Sequence, residues 1–452
     1  MSAQTKTMTE GNPYILIFTF ALPLMAGNVF QQLYTVVDTM IVGQALGVEA
    51  LAALGSADWF NWMLLSTVQG LAQGFAVLMA QNFGAGKIED LKHTVGNSVV
   101  LACISSVILL IASQLLAYPI LRILNTPDDI IGNALLYLRI MFAGLPIVMA
   151  YNLLASIIRA LGNSKTPLYA MIIAAIINII LDILFVIVFH FGIAGAGVAT
   201  LIAQFISCIY CLMHMRKIDV LAVSRHHFRL QAPLVRRLMY LGTPMAMQNI
   251  LISIGGMIVQ SVVNGFGVVF IAGYTATNKL YGVLEIAAFS YGYAMTTYMG
   301  QNLGANNFIR IRKGTKAAVI IAVLTSFVIA AIMLIFGKNI VSLFISGTPE
   351  QIREAVDIAY LFLKILSIFL PILYIVHVFR NAVSGLGNSM FPMLSGVMEF
   401  VVRSSACFIL PLFLGETGIF YGEVLAWTGA DIALIIGYFM TMKKLSDRQV
   451  KK

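Results

Sequence analysis

The sequence predicts an all-α integral membrane protein of twelve transmembrane helices, arranged as two six-helix lobes. Three observations predict this. The 452 residues are 60% hydrophobic and only 10% charged, with mean hydropathy +0.92. Apolar runs of about 20 residues, enough to cross a bilayer, recur along the whole chain. Several short motifs also occur twice, in the same order.

The expected spans are 15–42, 51–80, 94–117, 130–158, 168–190, 194–215, 236–263, 269–299, 316–336, 355–379, 391–413 and 418–442. The first carries Asp38 as its only charge, with Pro23 and Gly27 able to bend the helix on one side of the acid. After the second span, Gln81-Asn82-Phe83-Gly84-Ala85-Gly86 recurs as Gln301-Asn302-Leu303-Gly304-Ala305-Asn306. Leu161-Gly162-Asn163-Ser164 with Pro167 recurs as Leu386-Gly387-Asn388-Ser389 with Pro392, and Pro146 matches Pro371 at the same offset. Pro23 and Asn28 match Pro244 and Asn249. Four signals in one order mark a duplication. Each copy holds an even number of spans, so both enter from one side, and a pseudo-two-fold axis along the membrane normal follows. The expected division is an N-terminal lobe over 1–215, a basic cytoplasmic linker over 216–235, and a C-terminal lobe with a basic tail over 236–452. The linker, with His226 and His227, reads as a solvated segment meeting anionic headgroups. Gly192 to Gly197 reads as an outer hairpin whose small residues serve helix contacts.

A net charge of +9 in a soluble chain would suggest nucleic acid. Its placement argues otherwise. With the N-terminus inside, the inner segments hold most of the Lys and Arg, Arg380 and the tail Lys443 to Lys452 included. The outer segments hold only Arg122, Lys338 and Arg353. Both termini are therefore expected in the cytoplasm of a multi-pass cell-membrane protein. No cleavable signal peptide is expected, because the polar start is short and runs into a long span. Cys103, Cys208, Cys211 and Cys407 all lie in apolar runs and imply no disulfide framework. Cys208, Cys211 and His214 read as one packed helix face rather than a metal site, since a fourth ligand is missing. No structural metal is expected.

Seven acids lie in or beside spans: Asp38, Asp58, Asp182, Glu285, Glu399, Glu423 and Asp431. A carboxylate at the centre of a membrane helix costs roughly 2.5–3.5 kcal/mol on an insertion scale, so each needs a partner, a proton, an ion or water. Asp58 and Glu423 stand near span ends and can reach headgroup water. Asn178 and Asp182 stand at i, i+4 and stack on one helix face. With Asp38 they form either a cation or proton site or a hydrogen-bond cluster tying the first span to the fifth. Glu399 and Arg403, also i, i+4, read as a neutral ion pair that lowers insertion cost. Glu285 and Lys279 lie on different faces of the eighth span, and either can line a cavity. No Walker motif, nucleophile elbow or metalloprotease motif occurs, so neither ATP use nor enzymatic hydrolysis is expected.

These motifs together resemble the MATE (multidrug and toxic compound extrusion) transporters over essentially the full chain. The resemblance rests on Val37-Asp38-Thr39, the Gln-Asn-Phe-Gly-Ala-Gly and Leu-Gly-Asn-Ser turns, and Asn178-Ile179-Ile180-Leu181-Asp182. It implies two lobes around a V-shaped cleft, exporting small amphipathic organic cations by alternating access in exchange for H+ or Na+. Membrane lipids surround such a protein, a monomer is implied, and no cofactor is needed beyond the coupling ion. The DinF-like branch implies coupling at Asp38, Asn178 and Asp182 with Tyr137 and Thr200, Pro23 as the bend, and Na+ held by Asp38, Asn178, Asp182 and Thr200 where sodium drives transport. A C-lobe cavity would use Glu285, Lys279, Glu399 and Arg403. The alternative within the superfamily is a flippase for lipid-linked saccharides, which would need the basic groups Lys279, Lys364 and Arg403 to face a diphosphate.

Overall fold

The computed structural model describes residues 6–124, 126–346 and 348–450, so Lys451 and Lys452 of the basic tail lie outside the described residues. Among those described, helices follow one another with no strand. They are α1 (Pro13–Leu46), α2 (Val48–Gly84), α3 (Ile88–Ile123), α4 (Asp128–Ala143), α5 (Leu145–Ala160), α6 (Lys165–Asp182) and α7 (Gly192–Met215). Then come α8 (Ala232–Val263), α9 (Val268–Gly304), α10 (Phe308–Ser342), α11 (Pro349–Ile368), α12 (Leu370–Gly385), α13 (Met390–Ile409), α14 (Pro411–Leu414) and α15 (Gly418–Val450). Every expected span coincides with a long helix or a bent pair. Two spans are pairs: α4 with α5, bent by 46°, and α11 with α12, bent by 52°. Pro146 and Pro371 sit in the first turn after each break. A proline ring clashes with the carbonyl four residues back but is tolerated at a helix start, so the chain breaks and restarts there.

Unlike the helices of a water-soluble bundle, α3 turns an apolar face outward as well as inward. α3 turns Ile104, Val107, Ile108, Ile111 and Leu115 outward along one face and buries Asn97, Ser98, Ser106 and Ser113. Hydrocarbon, not water, is the solvent for that outer face.

The duplication is written into the backbone. Gly86 and Asn306 both adopt left-handed φ, +68° and +52°, as do Gly162 and Gly387 at +84° and +81°. The turn bonds match too. Lys87 N–H donates to Asn82 O as Asn307 N–H does to Asn302 O, and Asn163 N–H donates to Ile158 O as Asn388 N–H does to Val383 O. These are helix-ending loops that satisfy the last carbonyls.

The chain forms two compact units. The first comprises 1–9, 22–250 and 303–306; the second comprises 10–21, 251–302 and 307–452. The division thus falls inside α1, next to Pro23, and inside α8. In the first unit, α2 packs against α3, α4 and α5, with Phe60 and Phe142 edge to face at 5.1 Å. A Cβ on Gly74 would lie 2.4 Å from the Cα of Gly242, so α2 and the early part of α8 cross backbone on backbone. Gly195 and Gly197 of α7 likewise lie against Phe185 and Ile140.

The segment expected to be a solvated linker keeps most of its residues exposed and is also seated on α3. Asn97 donates to the carbonyls of His227 (3.1 Å) and Arg229 (3.2 Å), and its Oδ1 accepts the Gln231 N–H (3.0 Å). A Cβ on Gly96 would meet the His227 carbonyl at 2.4 Å. The docking needs a glycine and a buried amide side by side.

In the second unit, α13 and α15 run antiparallel, because Gly418, Gly422, Gly429 and Gly437 lie against Leu410, Ala406, Val402 and Phe391 in turn. Tyr274, Phe362, Phe420 and Phe270 form a stacked column with centroids 5.1, 4.5 and 5.6 Å apart.

Candidate functional site

α1 places Asp38 and α6 places Asp182, both in the first unit, and their carboxyls come within hydrogen-bonding reach of each other. Asp182 and Asn178 are fully buried and Asp38 is half-buried. The i, i+4 spacing puts Asn178 one turn below Asp182, where its Nδ2 donates to Thr200 Oγ1 of α7 at 3.3 Å. Directly after Asp182 the helix widens into a π turn over Ile183–Val188. Such widened turns inside helices are frequent at functional sites.

What the cluster lacks is donors. Asp38 Oδ1, Asn178 Oδ1 and both oxygens of Asp182 are buried without a hydrogen-bond partner. Thr35 and Thr39 flank Asp38, yet their hydroxyls donate back to the carbonyls of Gln31 (3.0 Å) and Thr35 (2.8 Å). Among the described residues no Lys, Arg or His forms a salt bridge with either acid. Four acceptor oxygens without a protein donor can take a proton shared between the carboxyls, a hard cation that takes oxygen ligands, or water.

Tyr137 of α4 is buried within electrostatic reach of Asp38 and Asp182, and Tyr34 stands one turn before Asp38 on α1. Tyr34 was missed in the sequence, although its i−4 spacing from Asp38 was there to be read. Asp58, expected to reach headgroup water, is exposed but also lies within electrostatic reach of Asp38. Pro23 sits inside a continuous α1, where its missing N–H leaves the Thr19 carbonyl without its usual helical partner.

The second unit holds a different arrangement. Glu399 and Arg403 of α13 do approach, at 3.7 Å, but each has a closer partner. Arg380 of α12 bonds Glu399, and Arg403 bonds Glu423 of α15 at 2.8 Å. Two expectations are corrected here. Arg380, counted as a cytoplasmic charge, is buried in a helix, and Glu423, expected to reach headgroup water, is half-buried on Arg403. Glu285 lies within electrostatic reach of Arg403, Glu423 and Glu399, beside Tyr281. Asp431 is buried near Arg380 and Glu399, with Oδ1 unpartnered. Lys279 and Lys364 are exposed and form no salt bridge among the described residues. His377 packs against Phe289 at 4.5 Å.

Comparison with known proteins agrees with this architecture. The MatE family profile matches residues 23–184 and 244–409, one stretch in each copy of the repeat. The chain is 29% identical to "Probable multidrug resistance protein YpnP" of Bacillus subtilis, covering 95% of this chain and 96% of that protein. It is 24% identical to "Probable multidrug resistance protein NorM" of Thermotoga maritima, over 90% and 88% of the two chains. A crystal structure of a MATE protein in the bent conformation superposes with TM-score 0.87 at 21% identity, covering 98% of each chain. A MOP superfamily transporter from Pyrococcus furiosus superposes with TM-score 0.89, also at 21% identity, over 97% of each. Twelve helical spans, a duplicated plan and a profile match across most of the length have one reading: the chain belongs to the MatE family of multidrug efflux transporters, which are membrane carriers and not enzymes.

Proposed function

We propose that the protein is a secondary active exporter of small amphipathic organic cations, driven by H+ or Na+ antiport and coupled through Asp38 and Asp182. The observation that carries this reading is the set of four donorless oxygens on Asp38, Asn178 and Asp182. A proton or Na+ arriving from outside satisfies them, with Thr200 and Tyr137 completing the surroundings. Discharging Asp38 removes the charge from α1, and Pro23 gives that helix a place to bend. One proton entering down 100 mV yields about 2.3 kcal/mol, and one pH unit adds about 1.4 kcal/mol. If a monovalent organic cation leaves in exchange, the electrical part cancels and the ion gradient alone drives export.

The same reading takes the protein to be a monomer in the cytoplasmic membrane, with both termini inside and two lobes joined by the 216–235 segment. A flippase for lipid-linked saccharides is favoured less. Of the three basic groups that reading calls on, Arg403 is already paired with Glu399 and Glu423, which leaves Lys279 and Lys364 to meet a diphosphate. The test is efflux of a cationic dye in everted vesicles under separate pH and sodium gradients. Asp38→Asn should abolish gradient-driven efflux, and unchanged efflux in that variant would remove the coupling site.

A further inference from the structure

The segment between the two repeats brings its histidines onto the start of α3. Glu89 and His93 lie on the first two turns of α3, and His226 and His227 lie on a single 3-10 turn, Arg225–Phe228. One ligand atom from each of these four residues lies within 4.8 Å of every other. His227 Nε2 is 2.8 Å from Glu89 Oε1, and His226 Nε2 is 3.5 Å from the same oxygen. The His226 and His227 rings are 3.8 Å apart, and His93 lies 4.8 Å from His227. Three imidazoles and a carboxylate are a donor set suited to zinc-class divalent ions. A tetrahedral ion with ligands at about 2.0–2.1 Å needs donor atoms about 3.3 Å apart. The observed spread brackets that spacing.

We propose that Glu89, His93, His226 and His227 bind a divalent transition-metal ion of the zinc class, which pins the segment between the repeats to α3.

Groups that orient the rings are already in place. Ser224 surrounds His227 Nδ1 with its N–H at 2.9 Å and its carbonyl at 3.2 Å. Without metal, the N–H donates to Nδ1 and the ring keeps its proton on Nε2, which donates to Glu89. With metal, the proton moves to Nδ1 and donates to the Ser224 carbonyl, so Nε2 is freed as a ligand. Backbone carbonyls commonly orient metal-bound imidazoles in this way. His93 has Gln231 Nε2 at 3.2 Å from its own Nδ1. Asn97 and Gly96 hold the His227 backbone against α3. His227 is 2% exposed, whereas His226 and Glu89 are open to solvent. Lys92, 3.8 Å from Glu89 Oε2, is the nearest competing cation.

The test uses tag-free, full-length protein in detergent, titrated with Zn2+ by calorimetry and with Co2+ by visible absorption. Wild type should bind one equivalent, with the strong absorption of four-coordinate Co2+. Bound Zn2+ should slow tryptic cleavage at Arg225 and Arg229. Glu89→Gln and His226→Gln change exposed side chains, so the metal-free fold should melt unchanged. Each should weaken binding by at least about tenfold. Absence of stoichiometric binding in wild type, or equal binding in the Glu89→Gln/His226→Gln double variant, overturns the proposal. Dye efflux does not enter the readout, so failure here leaves the coupling assignment untouched.

Discussion

Arg380 of α12 bonds Glu399 of α13, and both side chains are buried. The pair is one link in a chain that continues through Arg403 to Glu423. A buried charge left alone is worse than a buried pair, and breaking such a pair typically costs about 3–5 kcal/mol. Arg380→Met should therefore lower the melting temperature sharply. Arg380→Met/Glu399→Met should recover much of the loss, because neither charge is then stranded. The check is a thermal melt of each variant in detergent. Single and double variants losing stability additively would mean that the two side chains do not depend on each other.

Gly74 and Gly242 let α2 and α8 touch without side chains between them, and a Cβ on Gly74 has 2.4 Å where ordinary contact begins near 3.4 Å. The obstacle is backbone on the opposing helix, which cannot rotate away. Gly74→Ala should destabilise the first unit by about 1–3 kcal/mol, the usual penalty for overpacking. Gly132→Ala, where an added methyl meets open space, is the control. A Gly74→Ala protein melting with the control would show that the helices separate freely at this crossing.

Much of this fold was legible in the sequence, because hydrocarbon imposes a strict rule on composition and length. The spans and the duplicated turns follow from hydropathy and local backbone chemistry, whereas Pro146 and Pro371 read in the sequence only as repeat markers and not as the breaks they make. The i, i+4 step from Asn178 to Asp182 likewise located half of the candidate site. What escaped depends on partners far apart in sequence. Arg380 lies near the end of a span, where a charge count assigns it to the cytoplasm, and only Glu399 on another helix reveals its burial. The docking of the 216–231 segment rests on Gly96 and Asn97, two residues with no local signature. The π turn after Asp182 has no proline or glycine to announce it.

Asn306 holds φ +52° at the place where its counterpart Gly86 holds +68°. Asparagine tolerates this region better than other side chains, and a β-branched residue there is a clear outlier. Asn306→Gly should be neutral or nearly so, whereas Asn306→Val should cost about 1–2 kcal/mol. Gly86→Asn should fold normally, since the sequence already uses that residue at the equivalent turn. Thermal melts of the three variants decide it. An Asn306→Val protein as stable as the wild type would mean that the turn relaxes out of the left-handed region.

Asp182→Asn makes the sharpest prediction, because stability and transport should move in opposite directions. In the wild type, Asp182 Oδ1 and Oδ2, Asp38 Oδ1 and Asn178 Oδ1 are buried acceptors that meet no N–H or hydroxyl donor of the protein. Each unsatisfied buried polar group costs about 1–3 kcal/mol. An asparagine brings an NH2 group into the cluster without changing its size, and that group can donate to Asp38 or to Asn178. It also removes a carboxylate from the membrane interior. The variant should melt higher than the wild type by the equivalent of at least about 1 kcal/mol. Yet it can no longer take up and release a proton or sodium ion at that position, so dye efflux driven by an imposed gradient should fall to the level of vesicles without transporter. Functional sites are often strained in this way, and relieving the strain removes the function. A variant that melts lower than the wild type would mean that the four oxygens already have partners at rest. One that still couples efflux to a gradient would leave the two acids of α1 and α6 with a purely structural part.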